Sequence, residues 1–276
     1  MNKLKADKLK IGVFDSGFGG LTVLRALINL MPDADSIYLG DTARLPYGSK
    51  SRETIARYAV SSAKFIEEQG ADLLVVACNT ATALALEDVE AALSIPVIGV
   101  VEPGAAAAKA SASEGAVLVL ATAATVQSHA YSKALSAVSL ESHEKACPLL
   151  VPLVEEGWTD HHVTDEVIKI YLNEALSAAP ATTTLLLGCT HYPLIEPAIR
   201  RVLATLDHPL QIIDSAQATA FATKQLIDEH FPGTASTADR PNCTFYATDS
   251  VEKFQRLGTH FLGQPLDQVH LVDLGG

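Results

Sequence analysis

The sequence predicts an α/β protein of parallel sheets with helices on both faces, and three observations lead there. Short apolar runs recur along the chain without the polar alternation of a half-exposed strand, which is how strands buried on both faces read. Longer stretches with helical periodicity separate those runs, as crossover connections between parallel strands require. The third observation is a faint repeat. IGVF runs into Asp15 and Ser16, with Cys78 at a later strand end 63 positions after Asp15; VLVL runs into Ala121 and Thr122, with Cys189 67 positions after Thr122. Two similar α/β halves facing each other is the simplest arrangement with that property. Ligands of open α/β sheets bind beyond the carboxyl ends of the strands. Halves that direct those ends to one cleft would line it with Cys78 and Cys189 from opposite sides.

Along the chain, the first ten residues, MNKLKADKLK, read as a polar, Lys-rich tip expected to be mobile. The first strand, 11–14 (IGVF), stops at Asp15, too short for a signal peptide. No segment approaches the roughly 18 consecutive apolar residues of a membrane-spanning helix. DSGFGG, residues 15–20, is not GxGxxG, and no acidic residue is placed for a ribose, so a dinucleotide reading is weak. Its glycines permit a tight strand-to-helix turn, and Ser16 with nearby N–H groups could form an anion nest. Asp15 would repel an anion there; it suits a substrate ammonium or the proton of a neighbouring thiol. Strand 37–40 leads into GDTARLPYGSKS, residues 40–51, a turn-rich loop capped by Ser49 or Ser51. It is either a solvent loop or a cover that lays Pro46, Tyr47 and Gly48 over the cleft. Helix 51–69 closes at Gly70. Strand 73–77 (LLVVA) precedes a helix at 80–93 that stops before Pro96. Strands 97–101, 117–120, 185–187 and 211–213 follow, with a helix at 163–178 that stops before Pro180.

Composition narrows the function classes. The 276 residues carry a net charge of −12, which argues against a general nucleic-acid or anionic-membrane binder, since both need a basic footprint. A small anionic ligand stays compatible, because the global field is screened beyond about 8 Å at physiological salt. The four cysteines, Cys78, Cys147, Cys189 and Cys243, form no CxxC pair, and a chain with a core this large has little need of a disulfide. Reduced thiols in a cytoplasmic protein are the expectation.

Cys147 and Cys243 read as small buried hydrophobes. Cys78 and Cys189 each end an apolar run just before an expected helix start, where N–H groups and the helix dipole would lower a thiol's pKa. Acyl transfer needs one nucleophilic Cys and leaves the second unexplained. Proton chemistry uses both: one thiolate removes a proton while one thiol delivers a proton to the other face. No set of four ligands shows a common zinc spacing, so no metal is expected. By spacing alone, Trp158 and the Glu155-Glu156 pair read as surface residues.

Six segments, IGVFDSGFGGLTV, DTARLPYG, VVACNTATA, PVIGVVEPG, CPLLVPLVEEG and LGCTHYPLI, resemble in order the glutamate racemases, cofactor-independent members of the aspartate/glutamate racemase superfamily. The resemblance runs from about residue 11 to residue 215, and the CNT and GCTH pair is its most specific part. It implies two α/β domains related by a pseudo-twofold axis with the active site between them, here 1–101 plus 212–276 (containing Cys78) and 102–211 (containing Cys189). Cys78 and Cys189 would be the two acid/base residues flanking the α-carbon of glutamate. Asp15 would assist Cys78, and His191, oriented by Glu155, would assist Cys189. Asp15, Ser16, Pro46, Tyr47, Gly48, Asn79, Thr80, Thr190 and His191 would line or bind the substrate. So would Thr122 and Thr125, although Ala121 stands where the family commonly has glycine.

The resemblance further implies no cofactor, a homodimer, and D-glutamate supplied to peptidoglycan synthesis and so to cell-wall biogenesis and cell shape. Three rivals are weighed against it. An aspartate racemase is disfavoured by His191, since aspartate-type relatives usually carry another residue there. A non-catalytic glutamate-binding protein is disfavoured by the presence of both cysteines and both helpers. A redox switch would need the Cα atoms of the two cysteines within roughly 7 Å, which a substrate between them opposes.

Overall fold

The computed structural model describes residues 8–111, 115–232, 242–266 and 268–275; residues 1–7 of the Lys-rich tip lie outside them. The first half runs β1 (Lys10–Asp15), α1 (Leu21–Leu30), β2 (Asp35–Gly40), α2 (Arg52–Glu68), β3 (Leu73–Val76), α3 (Asn79–Ala92), β4 (Val97–Gly99) and α4 (Val101–Ser111). The second continues with β5 (Ala116–Ala121), α5 (Ala123–Ser128), α6 (Ala130–Ala137), β6 (Ser142–Ala146), α7 (Leu150–Glu155), α8 (His162–Ala178), β7 (Thr182–Gly188), α9 (Glu196–Thr205) and β8 (Gln211–Asp214). After α10 (Ser215–His230) the chain adds β9 (Cys243–Ala247), α11 (Val251–Leu262) and β10 (Val269–Leu271).

Two separate sheets form, ordered β10-β9-β2-β1-β3-β4 and β6-β5-β7-β8, and every described pairing is parallel. The α/β class with two parallel sheets is therefore as the apolar runs predict. All seven expected strands and all three expected helices form, with ends displaced by at most three residues. Ser51 caps α2 by accepting from the Thr54 N–H, and Gly70 takes the left-handed φ of +84° just after the helix ends. Three strands were not expected. SHEKA in β6 is polar, half-buried and at the edge of its sheet, and β9 and β10 are the two outermost strands of the first sheet, where incomplete burial removes the continuous apolar signature.

Alternation along the central strands explains why they are apolar on both faces. In β1, Ile11 and Val13 enter one core and Phe14 the other; in β5, Leu118 and Leu120 oppose Val117 and Val119. One buried cluster runs without a break from Ile11 and Leu24 to Leu118, Leu187 and Ile199, so the two sheets share core rather than merely touching. Among the described residues no helix is long and apolar enough to cross a membrane.

The repeat in the sequence has a structural counterpart. Asp15 ends β1, and the neighbouring strand β3 pairs Val76 with Phe14 and runs on to Cys78. Thr122 follows β5, and the neighbouring strand β7 pairs Gly188 with Ala121 and runs on to Cys189. Each thiol thus stands beyond the carboxyl end of a strand adjacent to the one that carries its counterpart polar residues.

Candidate active site

Cys78 is held from three sides. The Ala77 N–H donates to the Phe14 carbonyl (2.8 Å), which continues the sheet pairing one residue past β3. Cys78 itself turns to φ −66°, ψ 116° and caps α3, its sulfur accepting from the Ala81 N–H at 3.5 Å. The thiol donates to Ser16 Oγ at 3.4 Å. Asp15 is 1% exposed; its Oδ2 accepts from the Gly17 N–H (2.9 Å), and its Oδ1 has no partner. Burial first, then the charge of Asp15, push the Cys78 thiol up to about 12. That corrects the expectation of a thiol acidified by its helix N-terminus: the donors at Ser16 and Ala81 do pull downward, but desolvation outweighs them. Burial likewise raises the Asp15 carboxyl above its ordinary range, against the nearby His191 and the Gly17 N–H.

Cys189 follows β7 directly, and the expected helix start is displaced. Tyr192–Ile195 makes a single 3₁₀ turn before α9 begins at Glu196. His191 Nδ1 lies 4.0 Å from the Cys189 sulfur, and its Nε2 is 3.2 Å from Glu155 Oε1, at the last residue of α7. Glu155 is thus half of a shielded ion pair rather than a solvated surface residue. Burial pulls the imidazole's pKa down, but its hydrogen bonds to Cys189 and Glu155, with their charges, raise it to about 10. Glu155 is lowered despite its own burial, by the same contact.

The two halves meet at these groups. A side chain at Gly19 would lie 2.1 Å from Thr190 Oγ1 and 2.5 Å from His191 Nδ1, so only glycine lets the turn after β1 approach the Cys189 loop. Thr22 Oγ1 donates to the Thr190 carbonyl at 3.0 Å across the same seam. Thr80, Thr122 and Thr125 form a triangle of hydroxyls, 3.0 to 3.3 Å apart, with Thr80 from one half and the other two from the second. Asn79 Nδ2 donates to the Tyr131 hydroxyl at 2.7 Å, another contact between halves.

Of the loop 40–51, Gly48 approaches Thr122, with its Cβ position 3.3 Å from the threonine Cβ. Tyr47 instead turns its ring into the core against Phe14 and Tyr58, and its hydroxyl donates to Asp41 at 2.5 Å. Only its backbone is free to serve a ligand. Pro46 is exposed. Asp41, fully buried, also takes Arg44 and Thr248, which pins the loop to the first half.

The structure therefore gathers Asp15, Cys78, Cys189, His191 and Glu155 in one largely buried seam, with each cysteine 5% exposed. Sequence reasoning missed Gly19, Thr22 and Tyr131. Gly19 lies inside DSGFGG, but nothing local says what it approaches. A separate cavity of about 900 Å³ lies among α3, α4 and α6, and none of the expected site residues lines it. Among the described residues no three His, Cys, Asp or Glu side chains converge as a metal-binding group.

Comparison with known proteins adds a family. The model of the Asp/Glu/hydantoin racemases matches residues 12–223. A glutamate racemase of Koribacter versatilis is 51% identical, over 96% of this chain and 98% of its own. The crystal structure of glutamate racemase from Francisella tularensis in complex with D-glutamate superposes with a TM-score of 0.88 at 36% identity, covering 97% of this chain and 98% of that one. The Thermus thermophilus glutamate racemase, in complex with β-chloro-D-alanine, gives 0.86 at 41% identity, with 97% and 98% covered.

The His191–Glu155 pair sets a pH dependence. A histidine whose folded pKa is raised stabilises fully below its ordinary 6.5, and that contribution is lost as pH rises through about 10. Glutamate lowered from 4.5 makes the opposite contribution, lost as pH falls through its folded value. Replacing Glu155 by Gln is expected to cost about 2 kcal/mol near pH 6, for a hydrogen bond between charged groups. Urea unfolding of both proteins should show that gap closing towards pH 10; a gap constant from pH 6 to pH 10 would contradict the pairing.

Proposed function

The chain belongs to the Asp/Glu/hydantoin racemase family, and from that membership we propose that it interconverts L- and D-glutamate by proton transfer on both faces of the α-carbon. The observation that carries this reading is the pair of buried thiols at equivalent strand ends, each with its own proton-handling neighbour: Asp15 for Cys78, and His191 with Glu155 for Cys189.

The chemistry follows from the acidities. The α-proton of an amino acid is very weakly acidic, so a base strengthened by burial suits its removal better than an ordinary thiolate. The cost is that the thiolate must be generated in a dry site, and each helper offsets it differently. Asp15, itself raised by burial, can take the proton of Cys78; protonated His191 faces Cys189 with compensating positive charge. One thiolate then removes the α-proton and the opposite thiol delivers another, so each turnover exchanges their roles. Hydroxyls of Ser16, Thr80, Thr122, Thr125 and Thr190, with backbone donors from Tyr47 and Gly48, hold the carboxylates and stabilise charge that grows on the α-carboxylate as the carbanion forms. Asp15 and Asn79 offer acceptors to the ammonium.

In this reading the enzyme works in the cytoplasm as a homodimer, and its D-glutamate enters peptidoglycan. A particle mass near twice the 29.2 kDa chain is expected by light scattering; a monomer mass would remove the dimer. Cells depleted of the protein should grow only when supplied with D-glutamate, and growth without it would remove the cell-wall role. The activity itself is tested with L-glutamate in D2O and no added cofactor. Optical rotation should decay as deuterium enters the α-position, and Cys78→Ala or Cys189→Ala should slow racemisation by about two to four orders of magnitude. Full activity in either variant would sink the two-thiol mechanism.

A further inference from the structure

The loop that carries Cys189 leaves one backbone group without a local donor. Past the thiol, the Tyr192 N–H donates to the Cys189 carbonyl at 3.1 Å, and the Leu194 N–H donates to the His191 carbonyl at 3.2 Å. In that i to i+3 pattern the carbonyl between them, on Thr190, falls to residue 193, which is proline and has no N–H to give. Thr190 is buried, and a buried carbonyl with no donor is costly.

The donor comes from the other half of the molecule. Thr22, in the first turn of α1 and 2% exposed, places its hydroxyl 3.0 Å from the Thr190 carbonyl and 2.9 Å from the Gly19 carbonyl. Carbonyls only accept, so the single hydroxyl proton is shared between the two. The Gly19 carbonyl has a second donor in the Thr22 N–H at 3.0 Å, which leaves Thr190 as the acceptor that depends on the hydroxyl.

That carbonyl belongs to the planar peptide joining Thr190 to His191, so holding it fixes the plane from which the imidazole departs. Two more groups of the first half meet the ring itself. Its Nδ1, 4.0 Å from the Cys189 sulfur, lies 2.5 Å from where a side chain at Gly19 would begin, and Phe261 of α11 stands edge-to-face against it with centroids 5.1 Å apart. Its own half supplies Glu155 at Nε2. The neighbour of one thiol is thus set in place partly by the half that carries the other.

We propose that Thr22 is a positioning residue for the Cys189 side of the reaction, holding the Thr190–His191 peptide so that the imidazole stays aligned with the Cys189 sulfur. This rests on the reading of the chain as a two-thiol glutamate racemase. Thr22 spends its proton on two carbonyls and acts only through that peptide. Valine has nearly the shape of threonine without the hydroxyl, so Thr22→Val removes the bond, whereas Thr22→Ser keeps it.

The consequence is one-sided. A displaced His191 raises the barrier to proton transfer at Cys189 and leaves the barrier at Cys78 alone. Enantiomers are equally stable, so kcat/KM must fall equally for both, by about tenfold for one lost hydrogen bond. The primary isotope effects must instead diverge. For the enantiomer that Cys189 deprotonates, removal of the α-proton becomes fully limiting and its isotope effect rises. For the other, removal by Cys78 becomes reversible and its isotope effect falls.

The test measures kcat/KM for L- and D-glutamate and their α-deuterated forms on the unaltered protein, Thr22→Val and Thr22→Ser, with thermal melts to show that each is folded. Thr22→Val is expected to show the equal fall and the divergence, and Thr22→Ser to restore the rate to within about twofold. If Thr22→Val does not fold, Thr22→Ala is read in the same way. An unchanged rate overturns the proposal, as does a fall in which both isotope effects stay put or move together, since that marks general damage. A Thr22→Ser that behaves like Thr22→Val overturns it too. An unaltered protein that does not racemise glutamate overturns the two-thiol reading, and this proposal with it.

Discussion

Exclusion of water from a seam of ionisable groups is the constraint on which the rest of the structure depends. Asp15, Cys78, Cys189 and His191 are each less than a tenth exposed, and Glu155 is only partly wetter. In such a place a charge survives only beside a partner, and a group without one keeps or takes its neutral form. Cys78 is pushed up by burial first and by the neighbouring Asp15 carboxyl second; His191 is raised, against its own burial, by its hydrogen bonds to Cys189 and Glu155. The proton inventory of the site is set by burial before any substrate arrives.

The fold supplies that seam by aiming the carboxyl ends of two parallel sheets at each other. Parallel strands end with unpaired backbone and short turns into helices, which is where small polar residues and thiols can stand without disturbing the apolar strands behind them. Close approach of the two ends then makes specific demands. Gly19 has no room for a side chain against Thr190 and His191, and Thr22 fastens the same turn to the Thr190 carbonyl. The continuous core linking the sheets makes this approach part of the packing of the whole chain. A loss of complementarity at the seam would therefore be felt on both sides at once.

The halves resemble each other in backbone and differ in chemistry. Each contributes a thiol at a strand end, yet one thiol has a carboxyl partner and the other an imidazole–carboxylate pair. The proposed reaction, running in both directions through mirror-related substrates, would not require identical neighbours, only that each thiol can be both base and acid. Threonine hydroxyls from both halves meet in the Thr80–Thr122–Thr125 triangle, so contacts near the thiols are drawn from both sides of the seam. That mixed origin suits a small substrate gripped between two walls.

Much of this was legible in residue order because it is local. Apolar runs, helix stops at Gly70 and before Pro96 and Pro180, and thiols at the ends of LLVVA and LLLG are consequences of short-range patterning, and the spacing of Asp15–Cys78 and Thr122–Cys189 reflects neighbouring strands in each sheet. The family resemblance also named His191 and Glu155, which the fold brings to 3.2 Å of each other. What only the tertiary structure decided depends on distant neighbours. The strand SHEKA lacks an apolar signature because it edges its sheet and is only half-buried along its whole length. The pKa of Cys78 moved opposite to the helix-dipole expectation because desolvation is a property of everything around it. Tyr131 looks like an ordinary helix residue until Asn79 is brought beside it. Sequence patterning determines which residues stand at strand ends; the electrostatics and hydrogen-bond direction of the site are sums over contacts that only packing creates.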